Sequence, residues 1–298
     1  MKRKFNMILE MISTNEFKIL PGSLAYSFFL AIIPILSIIF YLLSSLNLPM
    51  NEVNNFLINT FPKAVVNFIQ PVFNNDIPLN QFITLCLSIF VITNGCNSII
   101  VASNTIFGFE NASYIRRLVK SLFLAILLIV LIAFIMIVPL FGKAIINLIG
   151  LFTTFIEKHR SSIDTIYTIL QIPVSMIVMF FIIKLVYIVA PDDKVKGKYV
   201  NRGALFTTIS WLIVTVVFSY YINNIARYNL VYGNLANIVI LLFWFYILAY
   251  IFVIGLYLNR IKTEAGIEKT NKIKLDEIRK RVLEERLKEK EAQEKGEE

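Results

Sequence analysis

The chain has one histidine, His159, flanked by Glu157, Lys158 and Arg160. An imidazole alone makes neither a hydrolytic metal centre, which needs about three protein ligands, nor a nucleophilic triad, which needs a base held between a nucleophile and an orienting carboxylate. No clustering of His, Cys, Asp and Glu supplies such a set, and no phosphate-cradling or dinucleotide-binding glycine pattern occurs. Cys86 and Cys96 are ten residues apart in one apolar run. At the helical rise that is about 15 Å, too far for a disulfide, so buried inert thiols are expected. Asp192-Asp193 follows Pro191 and precedes Lys194 and Lys196, which reads as a solvated turn. These residues predict a non-enzymatic protein that uses no cofactor and no metal.

The chemistry that remains belongs to polar residues set in apolar surroundings. Lys184 is the one Lys or Arg well inside an apolar segment. A charge there either lines a path through a bundle or sends its amine along the stem to the headgroups. Asn94 and Asn97 share a helical face, and with Ser98, Ser103 and Asn104 they make their segment the most polar one. Such residues hold helices together by hydrogen bonds or line a polar cavity for a headgroup. Asn223, Asn224 and Asn237 admit the same two readings. Pro34 and Pro173 remove backbone donors in mid-segment and are expected to bend their helices, whereas Pro139 is expected to end its helix.

The elements that position these residues follow from composition. Of 298 residues, 57% are hydrophobic and 16% charged, where a soluble domain carries roughly 25% charged residues. A bilayer core about 30 Å thick is crossed by roughly 20 apolar residues in helix. Six segments qualify: 24–46, 79–107, 121–141, 163–190, 203–225 and 235–258. None alternates polar with apolar, and backbone in lipid must satisfy its own hydrogen bonds, so these are helices. The predicted fold is all-α, a polytopic membrane protein with six transmembrane helices. Three divisions follow: an amphipathic surface helix over 1–20, a transmembrane domain over 21–259, and a charged tail over 260–298. In the first, Phe5, Ile8, Leu9 and Ile12 fall at helical spacing after Lys2, Arg3 and Lys4, a pattern unlike a cleavable leader. Two further amphipathic stretches, 53–68 and 145–156, are expected to cap the opposite end.

Lys and Arg mark the cytoplasmic side of a membrane protein. Eleven of them lie before the first segment and in the loops after the second and fourth, against five in the alternate loops. Both termini are therefore expected inside, in the plasma (inner) membrane. The tail carries 12 Lys/Arg and 11 Asp/Glu, a charge-laced helix that solubilises or makes a protein contact. The net charge of +9 is thus a topology signal. Its expected neighbours are anionic lipid headgroups, and the short, separated basic loops make no nucleic-acid groove.

Several motifs, taken in order, resemble a known family. Leu24-Ala25-Tyr26 opens the first segment eight residues before Pro34. Ser103-Asn104-Thr105-Ile106-Phe107 closes the second. Ala190-Pro191 ends the fourth, and Arg202-Gly203-Ala204 starts the fifth. Tyr232-Gly233-Asn234-Leu235-Ala236 opens the sixth, followed by Trp244-Phe245-Tyr246 and Gly255. Over roughly 7–259 the chain is similar to the YihY/virulence factor BrkB family of bacterial integral membrane proteins. The resemblance implies six helices with both ends cytoplasmic. Its ribonuclease BN label is regarded as a misassignment, and members are linked to virulence, envelope lipid handling, and sodium or osmotic tolerance. Many relatives carry an acidic residue two positions after the last-segment glycine, where this chain has Tyr257. Taken together, the residues and the resemblance predict a transporter-like protein for envelope lipid or another amphiphile. The alternatives are a cation or small-solute transporter, or a non-catalytic scaffold. Candidate path or packing residues are Tyr26, Pro34, Asn94, Asn97, Asn104, Lys184, Asn223, Asn224, Tyr232, Gly233 and Asn237.

Overall fold

The computed structural model describes residues 14–45, 81–152, 160–224 and 233–263, with isolated positions 54, 58 and 66; side chains at some helix ends, including 134–152 and 160–172, lie outside the description. The described residues form six long helices and no strand. They are α1 (Asn15–Ser45), α2 (Gln81–Phe107), α3 (Tyr114–Phe152), α4 (Arg160–Val189), α5 (Gly197–Asn224) and α6 (Ala236–Thr263). A 3-10 turn, Gly233–Leu235, leads into α6. The chain is an all-α polytopic membrane protein. Four helices are long and apolar enough to cross a bilayer over their described residues: α1, α2, α5 and α6.

Local chemistry sets the helix ends. Thr14 Oγ1 accepts the Phe17 N–H at 3.4 Å, an N-cap for α1. Gly108 takes φ +72° after α2. Its N–H reaches Thr105 O at 3.3 Å, while Phe109 N–H reaches Asn104 O at 2.9 Å. This paired closure satisfies carbonyls that the helix leaves open, and it needs the left-handed backbone that glycine adopts freely. Pro191, which cannot continue a helix, follows the last turn of α4, where Ala190 N–H bonds Val186 O at 2.8 Å.

Pro139 corrects one expectation. α3 runs through it to Phe152, 39 residues in all. A proline removes its own N–H and crowds the carbonyl four residues back, yet helix remains the best-satisfied backbone at membrane depth. At about 58 Å, α3 outruns a bilayer core of about 30 Å. The expected separate cap at 145–156 is therefore, up to Phe152, a continuation of this helix. Pro34 and Pro173 likewise sit within unbroken helices. α1 crosses position 20 without interruption, so the junction expected there falls inside a helix. The surface helix before Thr14, the stretch 53–68 apart from its isolated positions, and the tail from 264 lie outside the described residues.

α1 packs on α2 and α3, α3 on α2 and α4, and α4 on α5. α6 lies at the centre of the core. Its Tyr250 meets Phe17 edge-on at 4.9 Å, its Phe245 and Phe252 face Phe28, and its Leu248 O accepts the Trp211 indole N–H at 2.9 Å. More than half of its most apolar window is buried in protein. The apolar surface of the other helices is left for lipid, as at Leu87, Phe90, Ile126 and Val130.

Candidate functional site

Polar groups in these helices are first satisfied at home. The hydroxyls of Ser37, Thr93, Ser98, Thr105, Ser121, Thr208 and Thr263 each donate to the carbonyl four residues back. Such back-bonding removes a hydroxyl from the list of groups that need a partner across the bundle. Most of the side chains that do reach across gather toward one end, where α2, α4 and α6 finish and α3 and α5 begin. We call it the basic end, because Arg116, Arg117, Lys120, Lys194, Lys196, Lys198, Arg202, Arg260 and Lys262 lie there.

Asp192 organises this end. Its carboxylate accepts from Lys120 Nζ at 2.9 Å, Asn104 Nδ2 at 2.6 Å and the Ala112 backbone N–H at 3.0 Å. Its own N–H donates to Asn104 Oδ1 at 2.8 Å. Lys120 also donates to Pro191 O at 2.5 Å, and Asn104 Nδ2 to Asn111 Oδ1 at 3.0 Å. Burial by itself would raise the Asp192 carboxyl; the Ala112 N–H, the Lys120 ammonium and the Asn104 amide outweigh it and hold the group below the ordinary carboxylate range. The Lys120 and Asp192 side chains are only 22% and 12% exposed. The solvated turn expected at Asp192-Asp193 is therefore corrected: Asp193 is exposed, and Asp192 is a tie between three segments. Arg260 adds a fourth by donating to Ile106 O at 3.1 Å, at the end of α2.

A second polar centre lies where α4, α5 and α6 meet. Tyr187, fully buried, pairs its hydroxyl with Thr207 Oγ1 at 2.7 Å and donates to Phe252 O at 2.9 Å. Gly203 N–H reaches Asn259 Oδ1 at 2.9 Å. A Cβ on Gly203 would collide with Gly255 O and the Asn259 amide, and one on Gly255 with Thr207 Oγ1 and the Tyr187 hydroxyl. Two glycines thus let the backbones of α5 and α6 approach closely. Two buried polar atoms here and on α2 have no hydrogen-bond partner among the described residues: Asn259 Nδ2 and Ser103 Oγ. Both side chains are fully buried.

The sequence candidates do not converge on one place. Asn104 is buried in the Asp192 tie. Asn94 is exposed and Asn97 half-buried; between α1 and α2 the hydrogen bond is made by Ser27 and Ser98, at 2.8 Å. Tyr26 is 61% exposed, and Pro34 is half-buried. The Lys184 stem passes close to Gly197 at the start of α5, and its amine lies 5.9 Å from the Phe180 ring. Asn224 is exposed and bonds back to Tyr220 O; Asn237 is half-buried; Gly233 is exposed with φ +52°. Those three lie toward the other end. Tyr232 and the Asn223 side chain lie outside the described residues. Asp192, Tyr187 and Asn259 are not among those candidates. The signal for Tyr187 and Asn259 was present: a hydroxyl and an amide at membrane depth demand partners.

The family model for virulence factor BrkB matches residues 8–277. The chain belongs to that family. Among curated proteins, this BrkB-family chain is 27% identical over 245 residues to the putative ribonuclease-like protein YfkH of Bacillus subtilis, covering 80% of this chain and 88% of that one. It is 33% identical over 87 residues to a UPF0761 membrane protein of Haemophilus influenzae, covering 29% of this chain and 32% of the relative. A UPF0761 membrane protein of Idiomarina loihiensis is 29% identical over 118 residues, 40% of each chain. No solved structure matches. Among the described residues of this BrkB-family protein, no three His, Cys, Asp or Glu come together as a metal site would require.

Proposed function

We propose that this BrkB-family membrane protein is non-enzymatic and transporter-like, handling an envelope lipid or another amphiphile, with its basic end toward the cytoplasm of a bacterial inner membrane. The observation that carries the reading is the pair of orphaned buried groups, Ser103 Oγ and Asn259 Nδ2. Every other hydroxyl named above has a partner. An unmade hydrogen bond in such surroundings costs about 1–3 kcal/mol, a cost that a polar headgroup reaching either group would remove. Both groups are uncharged, and together they offer donors and an acceptor to an ester or phosphate oxygen or a hydroxyl. The aliphatic tails of such a ligand need no protein path, because α3 and α5 expose apolar side chains directly to lipid.

The ribonuclease-like wording belongs to the relative from Bacillus subtilis and is not carried over. A path for cations is the less supported reading, since the Lys184 stem runs toward the start of α5 at the basic end. The test is leaflet exchange of labelled phospholipid in vesicles holding the full chain. We expect exchange above the protein-free rate and a several-fold slower rate in S103A, whose fold should tolerate the loss of one unpartnered hydroxyl. Exchange equal to protein-free vesicles across zwitterionic and anionic lipids would overturn the reading.

A further inference from the structure

α5 is the least buried of the four long apolar helices: 17% of its apolar window is covered by protein, against 56% for α6. Its exposed residues fall in line. Lys198, Arg202, Leu205, Ile209, Ile213 and Val216 are all exposed, and they follow one another in steps of three and four, one face of a helix. Two cations head the stripe and only apolar side chains follow. From Arg202 to Ile213 the rise is about 16 Å, close to the roughly 15 Å depth of one leaflet's hydrocarbon.

The charge at the head of the stripe is not cancelled by its neighbours. Lys194 and Lys196 in the preceding loop are exposed. Asp192, two residues before Lys194, is already engaged by Lys120. Asp193 and Glu110 are the exposed acids described at this end. Lys198 lies 5.0 Å from the ring of Tyr199, which does not neutralise it. The first apolar residue of the stripe comes three positions after Arg202, so the cations sit at headgroup level. An acidic protein or a nucleic acid would need them clear of the apolar belt.

We propose that this face of α5 binds an anionic phospholipid of the leaflet at the basic end, with its phosphate between Lys198 and Arg202 and an acyl chain along Leu205, Ile209 and Ile213. The surface is independent of what the bundle carries, so it stands or falls apart from leaflet exchange. Two cations near a bilayer surface should give a preference for anionic over zwitterionic lipid of about tenfold or more at low salt.

The full chain would be reconstituted in phosphatidylcholine vesicles with spin-labelled phosphatidylglycerol or phosphatidylcholine, and the protein-restricted lipid fraction measured. We expect phosphatidylglycerol to be preferred by wild type. The preference should be lost in K198Q/R202Q and kept in K194Q/K196Q and in the charge-conserving K198R/R202K. Equal restriction of the two lipids by wild type, or a preference that survives K198Q/R202Q, would overturn the assignment. Should K198Q/R202Q not fold, I209W serves instead. Brominated phosphatidylglycerol should quench its added fluorescence more than brominated phosphatidylcholine does, and equal quenching would overturn the proposal. A dimer trapped through I213C whatever the lipid would do the same, by giving the face to a second copy.

Discussion

Asp192 joins three stretches of chain through four hydrogen bonds, one of them to a lysine. Removing its carboxylate leaves Lys120 with Pro191 O alone, Asn104 Nδ2 with Asn111 Oδ1 alone and the Ala112 N–H without this acceptor. Hydrogen bonds to charged groups contribute about 1.5–3 kcal/mol, and breaking a largely buried pair about 3–5. D192A should therefore lose about 2–4 kcal/mol in reversible unfolding from detergent micelles, and D192N less. The pH dependence has a definite sign. The folded carboxyl titrates below its ordinary value, so its contribution is complete above the unfolded value of about 3.9. It is lost as pH falls through the lowered folded value. The stability gap between wild type and D192N should be flat from about pH 5 to 8 and shrink below about pH 4. A gap that widened on acidification would contradict the hydrogen-bonded carboxylate.

Between elements, the α5–α6 crossing depends on glycine. A methyl on Gly255 meets the Thr207 and Tyr187 hydroxyls, which already bond each other. G255A should cost about 1–3 kcal/mol by overpacking, and more if the Tyr187 bonds break. Gly22 in α1 has open space around its Cβ position. G22A should be neutral, or stabilising by up to about 1 kcal/mol from helix propensity alone. Comparing the two in one unfolding assay separates close packing from backbone preference. Equal effects would mean that the crossing is not tight. Gly255 is where α6 leaves room for Tyr187.

For the whole molecule, the proposed orientation is tested with cysteine. In a C86S/C96S background, a single cysteine at Lys196 should react with an impermeant maleimide only when the cytoplasmic side is open. A cysteine at Asn224 should react from the other side. Labelling of both from one side would overturn the orientation, while reversed sidedness would place the basic end outside. Lys196 and Asn224 are both exposed, and they lie at the two ends of α5.

The sequence alone determined the class of the protein, the six long helices among its described residues and the end where its basic residues cluster. These follow from one-dimensional facts: runs of about twenty apolar residues, a backbone that must bond to itself in lipid, and Lys/Arg counts per loop. α2 and α4 begin and end within about three residues of their apolar segments, whereas α1, α3 and α5 start six to nine residues early, α6 runs five residues further, and α3 also passes Pro139. Pro139 removes one N–H and crowds the preceding turn, but backbone at membrane depth has no better-bonded alternative to helix. What only the tertiary structure decided is the partner of each polar group. Asn94 and Asn104 look alike in sequence, yet one is exposed and the other locked to Asp192, because neighbour contacts depend on helix rotation and crossing. The same rule hid Asp192, which sits in a short basic loop like any solvated turn until α2 and α3 close over it. Ser103 and Asn259 stand out for the same reason: once each nearby hydroxyl and amide has found its partner, these two have atoms left over.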